Sequence, residues 1–210
     1  MTMNVNMIKT YADKQQILID NVMEACSHYD DNTDLNELDF NDFCCVISIL
    51  NAQKKALLIE DWFNKKLGLF RLSPSLNAGD ASNTVIKNGI ITPDVITYEY
   101  KFSTTNEART LNLRQIRNWQ RIDYYITGYL DYNNPEHSIL LKIPKNDMNH
   151  EILKLGTPTH GTSNANSKNV NIEYSITVKL DSETMRSWVD KYSDDVLNGI
   201  MKGHKQQNEQ

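Results

Sequence analysis

The run Val95-Ile96-Thr97-Tyr98-Glu99-Tyr100-Lys101-Phe102-Ser103 constrains this chain more than any other segment. Its β-branched and aromatic residues read as a buried strand. Side chains two apart on a strand share a face, so Glu99 and Lys101 leave an otherwise apolar element together. Burying that charge is costly unless it is paired or holds a metal. A second acid, Asp80, follows Gly79 and lies nineteen residues upstream of Glu99. Two carboxylates and a lysine converging on one sheet edge are what metal-assisted phosphodiester hydrolysis needs.

The 210 residues fit one domain with a small appended helical region. A chain of this length buries roughly 70% of its unfolded surface and needs neither disulfides nor a structural metal. Cys26, Cys44 and Cys45 are odd in number and lack the spacing of a framework or zinc site. Adjacent Cys44 and Cys45 in an apolar stretch read as core residues of a reduced, intracellular protein. No apolar run approaches the ~18 residues of a membrane span, and the N-terminal residues lack a signal peptide's layout. A soluble, cytoplasmic protein of bacterial type, with no membrane partner, is the expectation.

The net charge of −5 is unevenly placed. Residues 1–43 hold nine acids against Lys9 and Lys14, a net of −7, which leaves +2 for the remainder. Lys101, Arg109, Arg114, Arg117 and Arg121 stand against Glu107 alone between positions 101 and 121, a net of +4. Local potential matters more than total charge for a nucleic-acid site, and a metal-binding groove needs acids of its own.

Along the chain, residues 7–28 read as a helix from the partial stripe Met7, Tyr11, Ile17, Leu18, Val22 and Cys26. Asp30, Asn32 and Asp34 imitate a calcium loop. Leu35 then stands where glycine is required, and Asn41 where a bidentate glutamate is required, so a capped linker is preferred. A second helix is expected over 41–67, stopped by Gly68. Asn77-Ala78-Gly79-Asp80 reads as a turn into the acid-bearing strand, and Asn88-Gly89 as a hairpin signal. A helix over 111–121 is expected next, then strands over 124–131 and 139–144 around Asn133-Asn134-Pro135. Residues 147–155 suit a short helix, 157–171 a long loop, 172–180 a strand and 181–199 a helix capped by Ser182 or Asp181. The polar tail is expected to be disordered. The order predicts an α/β (α+β) fold, with a central mixed sheet flanked by helices and an N-terminal helical region. The expected division is an acidic helical region at 1–43, a catalytic domain at 44–202 and a tail at 203–210.

Asp80, Glu99 and Lys101 are the main constellation. Carboxylate oxygens suit Mg²⁺, with Mn²⁺ as a substitute, and such ions are commonly held by one or two carboxylates plus substrate phosphate. Lys101 would orient the attacking water or stabilise charge developing on the phosphate. The expected metal-binding positions are Asp80, Glu99 and the intervening Tyr100. The bland reading is an edge strand with a simple ion pair. Asp94, after Pro93, rivals Asp80, but its odd spacing from Glu99 points it to the opposite face of a regular strand. Glu60, with Asp61 as its competitor, is a further candidate acid on an apolar-rich helix.

In the expected helix, Arg114, Arg117 and Arg121 fall at i, i+3 and i+7 and form one stripe. Gln115, Trp119 and Gln120 lie beside it. Arginine forks match phosphate oxygens and glutamine reads base edges. A charge stripe is otherwise an ordinary solvated face. His160, Thr162 and Asn164 sit in the Gly-, Ser-, Thr- and Asn-rich loop, where short polar groups suit base or backbone contacts. No histidine has zinc-ligand spacing, and no nucleophile elbow or phosphate-binding glycine loop is present.

Together Glu60, Gly79-Asp80, Glu99-Tyr100-Lys101-Phe102-Ser103, Gln115-Ile116-Arg117 and His160-Gly161-Thr162 resemble the PD-(D/E)XK nuclease superfamily, and within it the type II restriction endonucleases. The resemblance covers residues 57–165, though Gly79 rather than proline precedes Asp80. It implies a restriction-endonuclease-like core and Mg²⁺-dependent cleavage of double-stranded DNA leaving 5′-phosphate and 3′-hydroxyl ends. It implies that Asp80 and Glu99 ligate metal and that Lys101 assists the water. It further implies a homodimer on a palindromic site and a companion DNA methyltransferase. A repair or junction-resolving nuclease on the same fold would read DNA shape instead. A non-catalytic DNA-binding module is the alternative from another class.

Overall fold

The computed structural model describes residues 4–12, 22, 24, 26–86, 89–159 and 172–203. The chain divides into two compact units: Met1–Leu69 with Asp131–Ser138 and Asp195–Gln210, and Phe70–Leu130 with Ile139–Asp194.

The first unit is helical. Helix α1 spans Val5–Ala12; Val22 and Glu24 are helical as well, and the chain turns at Cys26 to His28. The rest of the helix expected over 7–28 lies outside the described residues. The helix expected over 41–67 is two helices, α2 at Phe40–Ser48 and α3 at Ala52–Leu67. The break has a local cause. Asn51 caps α3, its side-chain oxygen accepting from Lys54 N–H at 3.0 Å. Gly68 ends α3 in the left-handed conformation (φ 64°), as its sequence position predicts. Phe43 stacks on Trp62 with ring centroids 4.2 Å apart, and Trp62 Nε1 donates to Leu38 O at 3.1 Å. These buried rings give the unit its core.

The second unit is a mixed α/β structure. Strands β1 (Phe70–Arg71), β2 (Ala81–Ser82), β3 (Thr97–Thr104), β5 (Tyr124–Leu130) and β6 (Ile139–Pro144) form a five-stranded sheet in the order β1-β2-β3-β5-β6. Only the β3–β5 pair is parallel. Strands β4 (Thr110–Ile116), β8 (Glu173–Lys179) and β7 (Thr157–Thr159) form a second sheet in the order β4-β8-β7. Helices α4 (Lys145–Leu155) and α5 (Glu183–Tyr192) pack on these strands. Tyr125 and Tyr129 of β5, Leu111 and Leu113 of β4, and Trp188 of α5 share one buried core. No helix among the described residues is long and apolar enough to cross a membrane.

The helix expected over 111–121 is replaced by β4 and a loop. The reason is visible in the burial pattern. Leu111 and Leu113 alternate into the core and pair with Val178 and Ile176 of β8. A bulge then places Ile116 opposite Tyr174, with Gln115 at φ 55° absorbing the extra residue. The bulge returns Ile116 to the core face, so the apolar residues at 111, 113 and 116 all serve one sheet surface. The helix expected over 181–199 is likewise divided, into α5 and α6 (Asp195–Met201). Ser182, one of the two expected caps, accepts from Met185 N–H at 3.1 Å.

Candidate active site

Asp80 enters the sheet from a turn that requires glycine at position 79. Asn77 (φ 51°) and Gly79 (φ 89°) both take left-handed conformations. A Cβ on Gly79 would lie 2.4 Å from the Tyr98 carbonyl oxygen and 2.9 Å from Ile122 Cγ2, so the chain approaches β3 too closely for any other residue. Three bonds then fix Asp80. Its N–H donates to Tyr98 O at 2.8 Å, and its carbonyl accepts from Leu72 N–H at 2.8 Å. Its Oδ2 accepts from the Tyr100 N–H at 2.9 Å.

Glu99 and Lys101 stand on the same face of β3, opposite Tyr125 and Thr127 in the β5 register. Glu99 is 3% exposed, and both its carboxylate oxygens are engaged. Oε1 lies 2.5 Å from Lys101 Nζ, while Oε2 accepts from Gln120 Nε2 at 3.0 Å. Burial pushes the Glu99 carboxyl above the usual carboxylate range; the Lys101 ammonium opposes this, and the negative charge of Asp80 adds to it. Burial and the charge of Glu99 also push the Tyr125 phenol upward.

The loop from Arg117 to Asp123 closes the site. Gln120 is buried beneath Glu99, its main-chain oxygen accepting from Lys145 Nζ. Arg117 Nε donates to Glu173 Oε1 at 2.9 Å, and Glu173 is buried. The Arg117 guanidinium lies 6.0 Å from the Trp119 ring centroid, at the outer edge of a cation–π contact.

The structure thus brings Asp80, Glu99, Tyr100 and Lys101 together and adds Gln120 to them. It does not bring Arg114, Arg117 and Arg121 onto one helical stripe, because these residues belong to a strand and a loop. Arg114, Gln115, Trp119 and Arg121 are exposed, whereas Arg117 is half-buried on Glu173. Glu60 lies half-buried on α3, in the first compact unit. Asp94 is exposed, and a hydrogen bond from Thr92 holds its carboxyl below the usual range. His160, Thr162 and Asn164 fall outside the described residues.

Gln120, Lys145 and Glu173 are the residues that motif reading does not single out as partners. Gln120 meets Glu99 across 21 positions and Glu173 meets Arg117 across 56, so no local spacing announces either contact.

Among the described residues, no group of three or more His, Cys, Asp and Glu side chains is placed to hold a metal ion. The donors that the site does offer are the carboxylates of Asp80 and Glu99. They are hard oxygen ligands of the type and number that Mg²⁺ commonly takes from protein, with waters and substrate oxygens completing its shell. Neither models of known protein families nor the curated proteins give a match to this chain.

Proposed function

We propose that the protein is a Mg²⁺-dependent deoxyribonuclease of the type II restriction class, built on a restriction-endonuclease-like core. On this reading it hydrolyses double-stranded DNA to 5′-phosphate and 3′-hydroxyl ends. The observation that carries the reading is the meeting of Asp80 with Glu99-Tyr100-Lys101: two carboxylates and an ammonium at the junction of β2 and β3. A spaced acid, a buried acid and a lysine are more than an edge-strand ion pair requires. Asp80 and Glu99 would hold the ion, Mg²⁺ or Mn²⁺, which when bound polarises the scissile phosphate and acidifies a bound water. Lys101 supplies a positive charge against the phosphate and orients the water through its ammonium protons. Tyr100 N–H keeps the Asp80 carboxylate aimed across β3. Double-stranded DNA is the substrate, with a second copy of the chain as dimer partner and a DNA methyltransferase as functional companion.

One observation favours a non-catalytic DNA-binding module instead: both oxygens of Glu99 already accept hydrogen bonds. Each carboxylate oxygen has a second lone pair, so ligation remains open to it. Incubation of the purified protein with phage DNA and Mg²⁺, followed by sequencing of the ends, separates these readings. Discrete fragments with mapped, recurring ends support the restriction reading. Nicking that follows DNA structure supports a repair or junction-resolving nuclease, and intact DNA overturns hydrolysis.

A further inference from the structure

The loop between β4 and β5 holds both acid-bearing segments at once. Arg121 N–H donates to Asn77 O at 3.1 Å, and Thr97 Oγ1 donates to Arg121 O at 3.4 Å. The Ile122 side chain lies against Gly79, where any Cβ would meet it. Gln120 N–H donates to Arg117 O at 3.2 Å, which closes the turn. From this braced loop the Gln120 side chain reaches Glu99, and it is only 6% exposed.

Two features separate this glutamine from a packing residue. Its amide must point Nε2 at Glu99, because turning Oε1 toward a carboxylate would oppose two acceptors. That orientation leaves Gln120 Oε1 buried without a hydrogen-bond partner among the described residues. An unsatisfied buried acceptor is a cost that leucine or methionine would avoid in the same volume. The amide donor thus gives Glu99 a hydrogen bond that an apolar side chain of the same volume would not. With Lys101 on Oε1 and Gln120 on Oε2, the plane of the carboxylate is set from both sides.

We propose that Gln120 is a positioning residue for Glu99, its side-chain amide fixing the orientation of the carboxylate. Lys145 supports it by gripping the Gln120 main-chain oxygen. The inference rests on the hydrolytic role of Glu99, and its test is chosen to fail separately from that role.

The test is Mn²⁺ binding to the full chain, read from the electron paramagnetic resonance signal of the free ion, in wild type, Gln120→Leu and Gln120→Met, with kcat and KM for DNA cleavage measured beside it. Loss of the donor weakens Mn²⁺ binding and lowers kcat about 10- to 100-fold in both variants, while KM for DNA holds. A Mn²⁺ affinity equal to wild type in whichever variant folds overturns the proposal, even if cleavage is slower. Weakened Mn²⁺ binding in a protein whose wild type leaves DNA intact supports the Gln120–Glu99 coupling and removes the nuclease reading instead. A wild type that binds no Mn²⁺ overturns both.

Discussion

The Oδ2 atom of Asp80 accepts the backbone N–H of Tyr100 at 2.9 Å. This bond ties the first acid to the residue lying between Glu99 and Lys101. Because Asp80 N–H also meets Tyr98 O, the acid is locked to β3 by main chain and side chain together. The Asp80 carboxylate is thus placed against β3 by the register of the chain as well as by its own rotamer.

On the proposed hydrolytic reading, Asp80 and Glu99 are separately indispensable. Replacing either by alanine lowers DNA cleavage at least ~10³-fold, about 4 kcal/mol of barrier, while DNA binding persists. Single-turnover cleavage and a filter-binding assay check the two halves. A wild-type rate in one variant removes that residue from the mechanism.

Gly79→Ala strikes the same site from behind. The new methyl meets Tyr98 O and Ile122, and the backbone there has φ 89°. The variant loses at least ~2 kcal/mol of stability and, on the proposed reading, cleavage falls with it. Urea denaturation gives the first quantity. A midpoint unchanged from wild type would mean that the turn tolerates a Cβ.

The raised Glu99 carboxyl gives stability a defined pH dependence. A folded value above the unfolded one (~4.3) means that the folded chain keeps this proton longer. Its contribution is complete below the unfolded value and is lost as pH rises through the folded value. Wild type therefore loses stability relative to Glu99→Gln across that window. Parallel denaturation curves from about pH 4 to about pH 8 read the difference, and a parallel or opposite trend contradicts the burial argument.

Arg117 Nε pairs with Glu173 at 2.9 Å. Arg117→Ala removes a positive charge from beside the buried Glu173 carboxylate and costs about 2 kcal/mol, less than a fully buried pair because Arg117 is one-third exposed. Adding Glu173→Gln restores part of the loss. A residue serving phosphate would behave differently, flattening the salt dependence of DNA binding with little change in stability.

Local chemistry decided much of this protein from the sequence alone. The strand around Glu99, the exact pair of ends Ile139 and Pro144, the Gly68 stop and the Ser182 cap follow from β-branching, turn residues and capping oxygens, which act within a few positions. Tertiary structure decided the segment from Leu111 to Gln120. Its arginine spacing suits a helix, but Leu111 and Leu113 find Val178 and Ile176 across some 65 residues, and that ladder outweighs local propensity. The same long-range pairing delivers Gln120 to Glu99 and Arg117 to Glu173. Sequence named the charged strand because periodicity is local; only the fold chose its neighbours, because a buried charge takes whatever partner the packing brings to it.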